Sequence, residues 1–288
     1  MSNKFSLFNL DGLSDVAIKL LDMISKTVGW VVTPKGKRAD FIEGLEVYKK
    51  SILEDDNLTG IEKGQKISLS RMELRKYINQ GKIISIAVEN LENKAEPKRV
   101  DVDWLNAFFS YAENISSEEM QYIWGKLLAA KVNGNDGINK KVLQIFSCIE
   151  SEDISTFCEI CSMTFDNVER ALSCYPFIYI VKSPSYYNAR GIRRYHLASL
   201  DNLGLIEYDI HEGFVLPKVV PLIKYGSTTI QLSSPDRITN GNVRLTAAGR
   251  ALYDLTTVEK SKDFLLYCFS QWSSQNITYQ IIHDKDIE

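Results

Sequence analysis

The positions Leu13, Val16, Ala17, Leu20, Ile24, Thr27, Val28 and Val31 recur at steps of three and four residues, the spacing that gathers side chains on one face of a helix. Asp15, Lys19, Asp22 and Lys26 fall on the opposite face. The pattern predicts an amphipathic first helix stopped by Pro34 and Gly36, with the basic cluster Lys35, Lys37 and Arg38 directly after it. A second helix is expected over Ala39 to Leu53. Residues 55–70, rich in Gly, Asp, Asn and Ser, read as a linker, and the basic segment that follows turns helical near Ser70.

Further along, Ser116 with Glu119 three residues later has the form of a capping box, and Ile115 can staple onto Met120. A helix is expected to start there, carrying Met120, Ile123, Trp124, Leu127 and Leu128 inward until Asn133-Gly134-Asn135-Asp136-Gly137 breaks it. Upstream, Asp101 or Asp103 can cap a helix bearing Leu105, Phe108, Phe109 and Ala112. Downstream, Val142, Ile145, Phe146 and Ile149 mark one helix, and Ile154, Phe157, Cys158 and Cys161 another. After Cys174 the pattern changes to β-branched and aromatic runs between turn signals. Strands are expected at Phe177–Val181, Leu205–Tyr208, Thr228–Leu232 and Val243–Leu245, with Asn240-Gly241 as a hairpin-type turn. A short helix through Tyr195 and Leu200 should end at Gly204. Thr246 should cap a helix over Ala247 to Leu255, and a last helix should cover Val258 to Trp272.

These elements predict a mainly α chain with a C-terminal α+β part. It divides into an N-terminal helical, partly basic region (1–99), a central helical bundle (100–165) and a winged-helix-like module (166–288). At 288 residues, 44% of them hydrophobic, the chain can bury real cores. Its formal charge of −3 supplies no whole-molecule field for nucleic acid or an anionic membrane. The positive excess is N-terminal, where residues 1–99 carry 17 basic and 14 acidic side chains. No run is long and apolar enough for a transmembrane segment. Five scattered cysteines and no secretory signal suggest a reducing, cytoplasmic setting.

Candidate chemistry is sparse. Cys158 and Cys161, with Cys148 and Cys174 nearby, invite a zinc site, yet the pair shares the apolar stripe of Ile154 and Phe157, so core packing is the preferred reading and no metal or cofactor is expected. His196 and His211 lack a nucleophile or carboxylate partner in sequence, and no phosphate-cradling loop or nucleophile elbow occurs. Nucleic-acid contact would fall to Arg190, Arg193, Arg194, Asn202 and Lys224, with Lys218, Arg237 and Arg244 along the strands; it should be weak. The apolar face of Leu13, Val16, Leu20, Ile24, Val28 and Val31 is the candidate self-assembly surface, implying a homo-oligomer. Surface binding to a membrane, helped by Trp30, Lys35, Lys37 and Arg38, is disfavoured by the mixed charges of the polar face.

Val102-Asp103-Trp104-Leu105, Phe108-Phe109, Ala112 to Ser116 and Glu118 to Gln121, running into Trp124-Gly125-Lys126-Leu127-Leu128-Ala129, resemble the central signature of the bacterial family called domain of unknown function 2806. The stretch Ser25 to Pro34, with Val28-Gly29-Trp30, is similar to that family's opening helix and to the openings of some proteins linked to abortive phage infection. The loop Asn133 to Ile138 departs from the proline-containing one of the family. The resemblance implies a bacterial, cytosolic setting, in phage defence or a mobile element, and no active site. The resulting expectation is a non-enzymatic protein that assembles through its helices and recruits a partner with its C-terminal module. A winged-helix DNA-binding regulator is the alternative, and an enzyme comes third.

Overall fold

The computed structural model describes residues 13–31, 38–168, 174–211, 213–216 and 222–283. Among them the chain is mainly α, with antiparallel strands confined to the C-terminal half. Contacts divide it into two units, Met1–Leu143 and Gln144–Glu288. The three-part division at 99/100 and 165/166 is therefore not that of the fold. Helix α3 (Gly60–Glu89) belongs with α4 (Val102–Ala112) and α5 (Glu118–Val132), and α7 (Ser151–Ser162) packs on α9 (Arg194–Leu203).

In the first unit, α1 (Asp15–Val28) starts where the Ser14 hydroxyl accepts the Ala17 amide at 3.2 Å. It ends at Gly29, whose φ of 73° lets its amide donate back to the Ser25 carbonyl. The stop thus comes before Pro34 and Gly36, which lie outside the described residues together with Lys35 and Lys37. Ala17, Leu20, Leu21 and Ile24 are buried on the side of α1 that packs on α4 and the 3₁₀ turn Pro97–Arg99. Trp30 then ties the end of α1 to α3. Its indole N–H donates to the Tyr77 carbonyl at 3.3 Å, its ring stacks on that of Tyr77 at 5.6 Å, and the Tyr77 hydroxyl donates to the Val31 carbonyl at 2.9 Å.

Helix α2 (Arg38–Leu53) appears as expected, but residues 60–70 are the first turns of α3 rather than linker. A capping box at Thr59 and Glu62 starts that helix: the Thr59 hydroxyl accepts the Glu62 amide and the Glu62 carboxylate accepts the Thr59 amide at 2.8 Å. Its polar side chains face water, and composition alone cannot tell a solvated helix from a loop.

Ser117, not Ser116, caps α5; Ser116 is used elsewhere, accepting a hydrogen bond from Asn79 at 3.3 Å. Asn79 and Gln121, both buried, satisfy each other and the loop between α4 and α5. The Gln121 amide donates to the Asn79 side chain at 3.1 Å and to the Ile115 carbonyl at 2.8 Å, and Asn79 donates to the Glu113 carbonyl at 3.0 Å. A buried polar pair bonded in this way fixes the axial register of α3 on α5. At Gly125 the two helices approach so closely that an added Cβ would lie 2.5 Å from Ile86. Asp101 caps α4 through the Trp104 amide, and Trp104, Phe108 and Trp124 stack into the core beside it. Helix α6 (Lys140–Ser147) contains the boundary between the units.

The second unit holds β1 (Thr164–Asn167), β2 (Cys174–Pro176), α8 (Pro184–Asn188), β3 (Ile206–Tyr208), β4 (Phe214–Val215), β5 (Ile223–Tyr225), β6 (Thr228–Ser233), β7 (Thr239–Gly241), β8 (Val243–Leu245), α10 (Ala247–Leu255), α11 (Lys262–Ser274) and β9 (Thr278–His283). The order β2-β1-β5-β6-β9 makes one sheet; β3–β8 and β4–β7 pair separately. Gly204, at φ 81°, ends α9 and Thr246 caps α10, as the sequence predicts, whereas α11 begins at Lys262 rather than Val258.

Two strand expectations are corrected here. Phe177–Val181 is not a strand: Ile178 alone bridges to Gly241, and the Tyr179 amide donates to the Tyr187 hydroxyl at 2.9 Å. Asn240-Gly241 is not a turn either. It runs from β7 into β8, passing directly over Ile178, so that any Cβ on Gly241 (φ 99°) would overlap the Ile178 carbonyl. The flanking asparagines complete the crossing. Asn240 donates to the carbonyls of Pro176 and Val243, Asn242 donates to that of Asp209, and the Asn242 side-chain oxygen accepts the Val181 amide. Chain crossings leave backbone groups without ladder partners, and short amide side chains supply them.

Candidate interaction surfaces

The face expected to pair two copies is covered within the chain. Leu20 and Ile24 are fully buried, Leu13, Val16 and Val28 are half-buried, and only Val31 stands exposed. The reason lies in α4 and the Pro97–Arg99 turn, which occupy the apolar side of α1. This surface is therefore a piece of core.

The cysteines divide by environment. Cys161 is buried on α7 and its thiol is pushed well above the ordinary range by burial; Cys158 is half-buried and Cys148 exposed. Among the described residues no group of His, Cys, Asp or Glu is placed to hold a metal ion.

Of the residues assigned to nucleic-acid contact, the fold brings some together and separates the rest. Arg193 and Arg194 stand exposed at the start of α9, and Asn202 lies on the same outward side as Arg194, with Tyr195 and Ala198 between them. The Arg190 guanidinium instead lies over the Tyr186 ring at 4.2 Å, and that ring stacks on Tyr267 at 3.7 Å. Lys224 sits on β5, in register with Asp166 and Thr229. Lys218 is outside the described residues. Acidic groups border α9: His196 Nε2 is 3.7 Å from Glu152, Ser199 donates to Asp153, the Asp201 carboxylate accepts the Tyr208 amide, and Arg244 pairs with Glu207. His211 lies exposed in a turn where its amide donates to Asp209.

A cluster that sequence reading missed lies between α7, β1 and the α10–α11 connection. Lys260 Nζ donates to the carbonyls of Cys161 and Thr164, each at 2.7 Å, and is 3.3 Å from the Tyr253 hydroxyl. That hydroxyl donates to Asp166 at 3.1 Å, and Arg250 pairs with Asp254 at 2.9 Å and with Asp166 at 3.8 Å. Burial lowers the Lys260 pKa below the ordinary lysine value and raises that of the Tyr253 phenol. The ammonium is committed to the Cys161 carbonyl in the last turn of α7 and to the Thr164 carbonyl at the start of β1, so the cluster reads as a tie between helix end and strand built from distant residues. Its members span nearly a hundred positions, and no local pattern announces them.

The second surface missed by sequence reading is the hairpin of α2 and α3. Val47, Tyr48, Leu53, Ile61, Leu69 and Met72 are all exposed there, Ile61 by 76%. On α3, Ile61, Leu69 and Met72 follow one another at eight and three residues and so share a face, opposite the half-buried Ile67 and Leu74 that turn toward α2. Arg71 and Arg75 border that face. On α2, Val47 lies in line with Glu43 and Glu54, opposite the buried Ile52. Residues 43–56 carry five acidic and two basic side chains; residues 60–76 carry two acidic and five basic. The signal was present in the spacing of Ile61, Leu69 and Met72, hidden by the linker-like composition around it.

A family model described as "Protein of unknown function (DUF2806)" matches residues 66–268. The chain belongs to this family. No curated protein and no solved structure matches it. In this DUF2806 chain the match begins within α3 and takes in the Gly125 contact, the Gly241 crossing and the Lys260 cluster. The stretch Ser25 to Pro34 lies outside the match, and the similarity to abortive-infection proteins expected there is not shown.

Proposed function

We propose that this DUF2806 protein is a non-enzymatic interaction protein that docks a polypeptide on its α2–α3 hairpin. The observation that carries the reading is the concentration of large exposed apolar side chains on that one hairpin, from Val47 to Met72, where a monomer would ordinarily place polar groups. The Lys260 cluster of the C-terminal unit is committed to joining α7 to β1, which favours scaffolding over chemistry there. A photoreactive amino acid at position 61 or 69 should give a discrete adduct in cells expressing the full chain, and one at exposed position 94 should give none. No adduct from either hairpin position would overturn the reading.

A second reading rests on α9. The order α7, α8, α9, β3, β8, with β3 and β8 antiparallel, fits a winged-helix-like module, and Arg193, Arg194, Tyr195, Ala198 and Asn202 would form its recognition surface. The bordering carboxylates make phosphate contact thin, so any DNA binding should be salt-sensitive and indifferent to sequence. Fluorescence anisotropy with duplex DNA across a salt series checks this; discrimination of one operator at physiological salt would put the regulator first.

A further inference from the structure

We propose that β9 is a self-pairing edge: the β9 strands of two copies join antiparallel across a two-fold axis, so that the five-stranded sheet of each chain runs on into that of the other. This surface is separate from the α2–α3 hairpin and does not depend on it. In the order β2-β1-β5-β6-β9, β9 pairs with β6 on one side, and among the described residues no strand pairs with its other side. The opposite edge of the sheet, β2, runs against β7 and β8. An unpaired edge presents a row of backbone N–H and C=O groups that another strand matches, and proteins that must keep an edge apart place charges or proline on it. From Phe264 to His283, through α11 and β9, the chain has no Asp, Glu, Lys, Arg or Pro. Thr278 to Ile281 stay in even register with Ser233 to Ile230, the shift between Ile230 and Thr229 coming only after them, and all four are exposed.

The chemistry of the edge names its occupant. A backbone edge takes a strand, and a strand without charge meets no like-charge repulsion from its own copy. Side chains alternate between the faces of a sheet, so a two-fold axis normal to the sheet passes through a residue rather than between two. Centred on Gln280, the pairing sets Tyr279 of each chain opposite Ile281 of the other, on the face where Tyr279 stacks on Phe269 of α11 at 4.2 Å. An aromatic ring against a β-branched side chain is a favourable cross-strand pair, and the axis produces it twice. Leu266, exposed one turn before Phe269, lengthens the apolar surface of α11. The two Gln280 side chains meet at the axis on the opposite face. Each chain has one such free edge, so the arrangement closes as a dimer.

Sedimentation velocity and disulfide trapping on the full chain test this. The wild-type chain should form a dimer as concentration rises, and Q280K should weaken it about fivefold or more, because like charges then stand directly opposite each other at the axis. Circular dichroism should not change, since Gln280 is exposed. In a Cys148→Ser background, which removes the exposed native thiol, Q280C should crosslink under mild oxidation: residues directly opposite in an antiparallel pair have Cα atoms about 4.5–5.5 Å apart, within disulfide reach. T278C should not, because its two copies would lie about 14 Å apart along the strands. A wild-type chain that stays monomeric overturns the proposal, even if another polypeptide adds to the edge. A dimer that Q280K leaves intact, or that Q280C fails to trap, is not centred on Gln280 and overturns it too. Trapping of T278C as readily as Q280C overturns the antiparallel register.

Discussion

In the first unit the chain leaves no room for a side chain at Gly125, and in the second at Gly213, Gly241 and Gly249; Gly125 and Gly241 show two different reasons for it. At Gly125, α5 meets α3 through the side chain of Ile86, with the Ile83 carbonyl 2.9 Å from the position a Cβ would take. At Gly241, backbone meets backbone, and the glycine also holds a φ of 99° that an L side chain rarely adopts. At Gly125 the Ile86 Cβ and the Ile83 carbonyl are set by the α3 backbone, so relief requires the two helices to move apart; at Gly241 relief requires the crossing segments to part and lose their hydrogen bonds. Gly125 is thus a helix-packing constraint, while Gly241 adds to close approach a backbone conformation that side chains rarely adopt.

The largest effect expected from this contrast is that of Gly241→Ala. Strain at positive φ and overlap with the Ile178 carbonyl together should cost on the order of 4 kcal/mol, enough to unfold the C-terminal unit while leaving the helical one. Trp272 is the sole tryptophan after residue 143, so its fluorescence reports that unit separately from Trp30, Trp104 and Trp124. A variant in which Trp272 stays buried to the wild-type temperature would show that the crossing can flex after all.

Next comes Leu20→Ala, which empties part of the fully buried face of α1 and should cost about 3 kcal/mol by the usual penalty for a deleted core side chain. Leu69→Ala, on the 59% exposed hairpin face, should change monomer stability by less than about 0.5 kcal/mol. Urea unfolding followed by circular dichroism separates them. Equal losses would mean that Leu69 is covered in the monomer. Gly125→Ala falls between the two, at about 2 kcal/mol, because the added Cβ presses on Ile86 and the Ile83 carbonyl without the positive-φ strain of Gly241; a loss matching that of Gly241→Ala would erase the distinction drawn between the two glycines.

The same contrast explains what the sequence disclosed. Periodicity finds helices whose buried face is a local property, as with Leu105, Phe108 and Phe109 on α4 or Met120, Trp124 and Leu127 on α5. It failed at Ser116, because the true cap depends on Asn79, some forty positions upstream. It failed again at Asn240-Gly241, where local turn chemistry points to a hairpin and the structure uses the same residues for a crossing with a segment sixty positions away. The amphipathic face of α1 was legible, but what covers it was not; the exposed apolar face of the α2–α3 hairpin was hidden by the linker-like composition around it. A surface is defined by what the rest of the chain leaves uncovered, and that is settled only by the tertiary fold.

A pH-dependent effect is expected at Lys260, and it tests how firmly the C-terminal unit holds the junction of α7 and β1. Burial lowers the folded-state pKa of Lys260 below its ordinary 10.5, so between those two values the unfolded chain holds a proton that the folded chain has released. Stability contributed by this group therefore rises with pH across that window and is flat below it. The buried phenols act in the opposite sense, since the raised pKa of Tyr253 makes its contribution fall as pH climbs above 10. Comparing wild type with Lys260→Met cancels the phenols to first order. The variant should lose stability at neutral pH by about 1 kcal/mol, because the carbonyls of Cys161 in α7 and Thr164 in β1 lose their donor. The gap between the two proteins should widen as pH rises through the depressed value and level off by 10.5. Hydrogen exchange of the α7 and β1 amides across that range provides the measurement. A gap that narrows with pH instead would mean that the carbonyls hold the ammonium more tightly than burial expels it, and that the lysine is charged throughout.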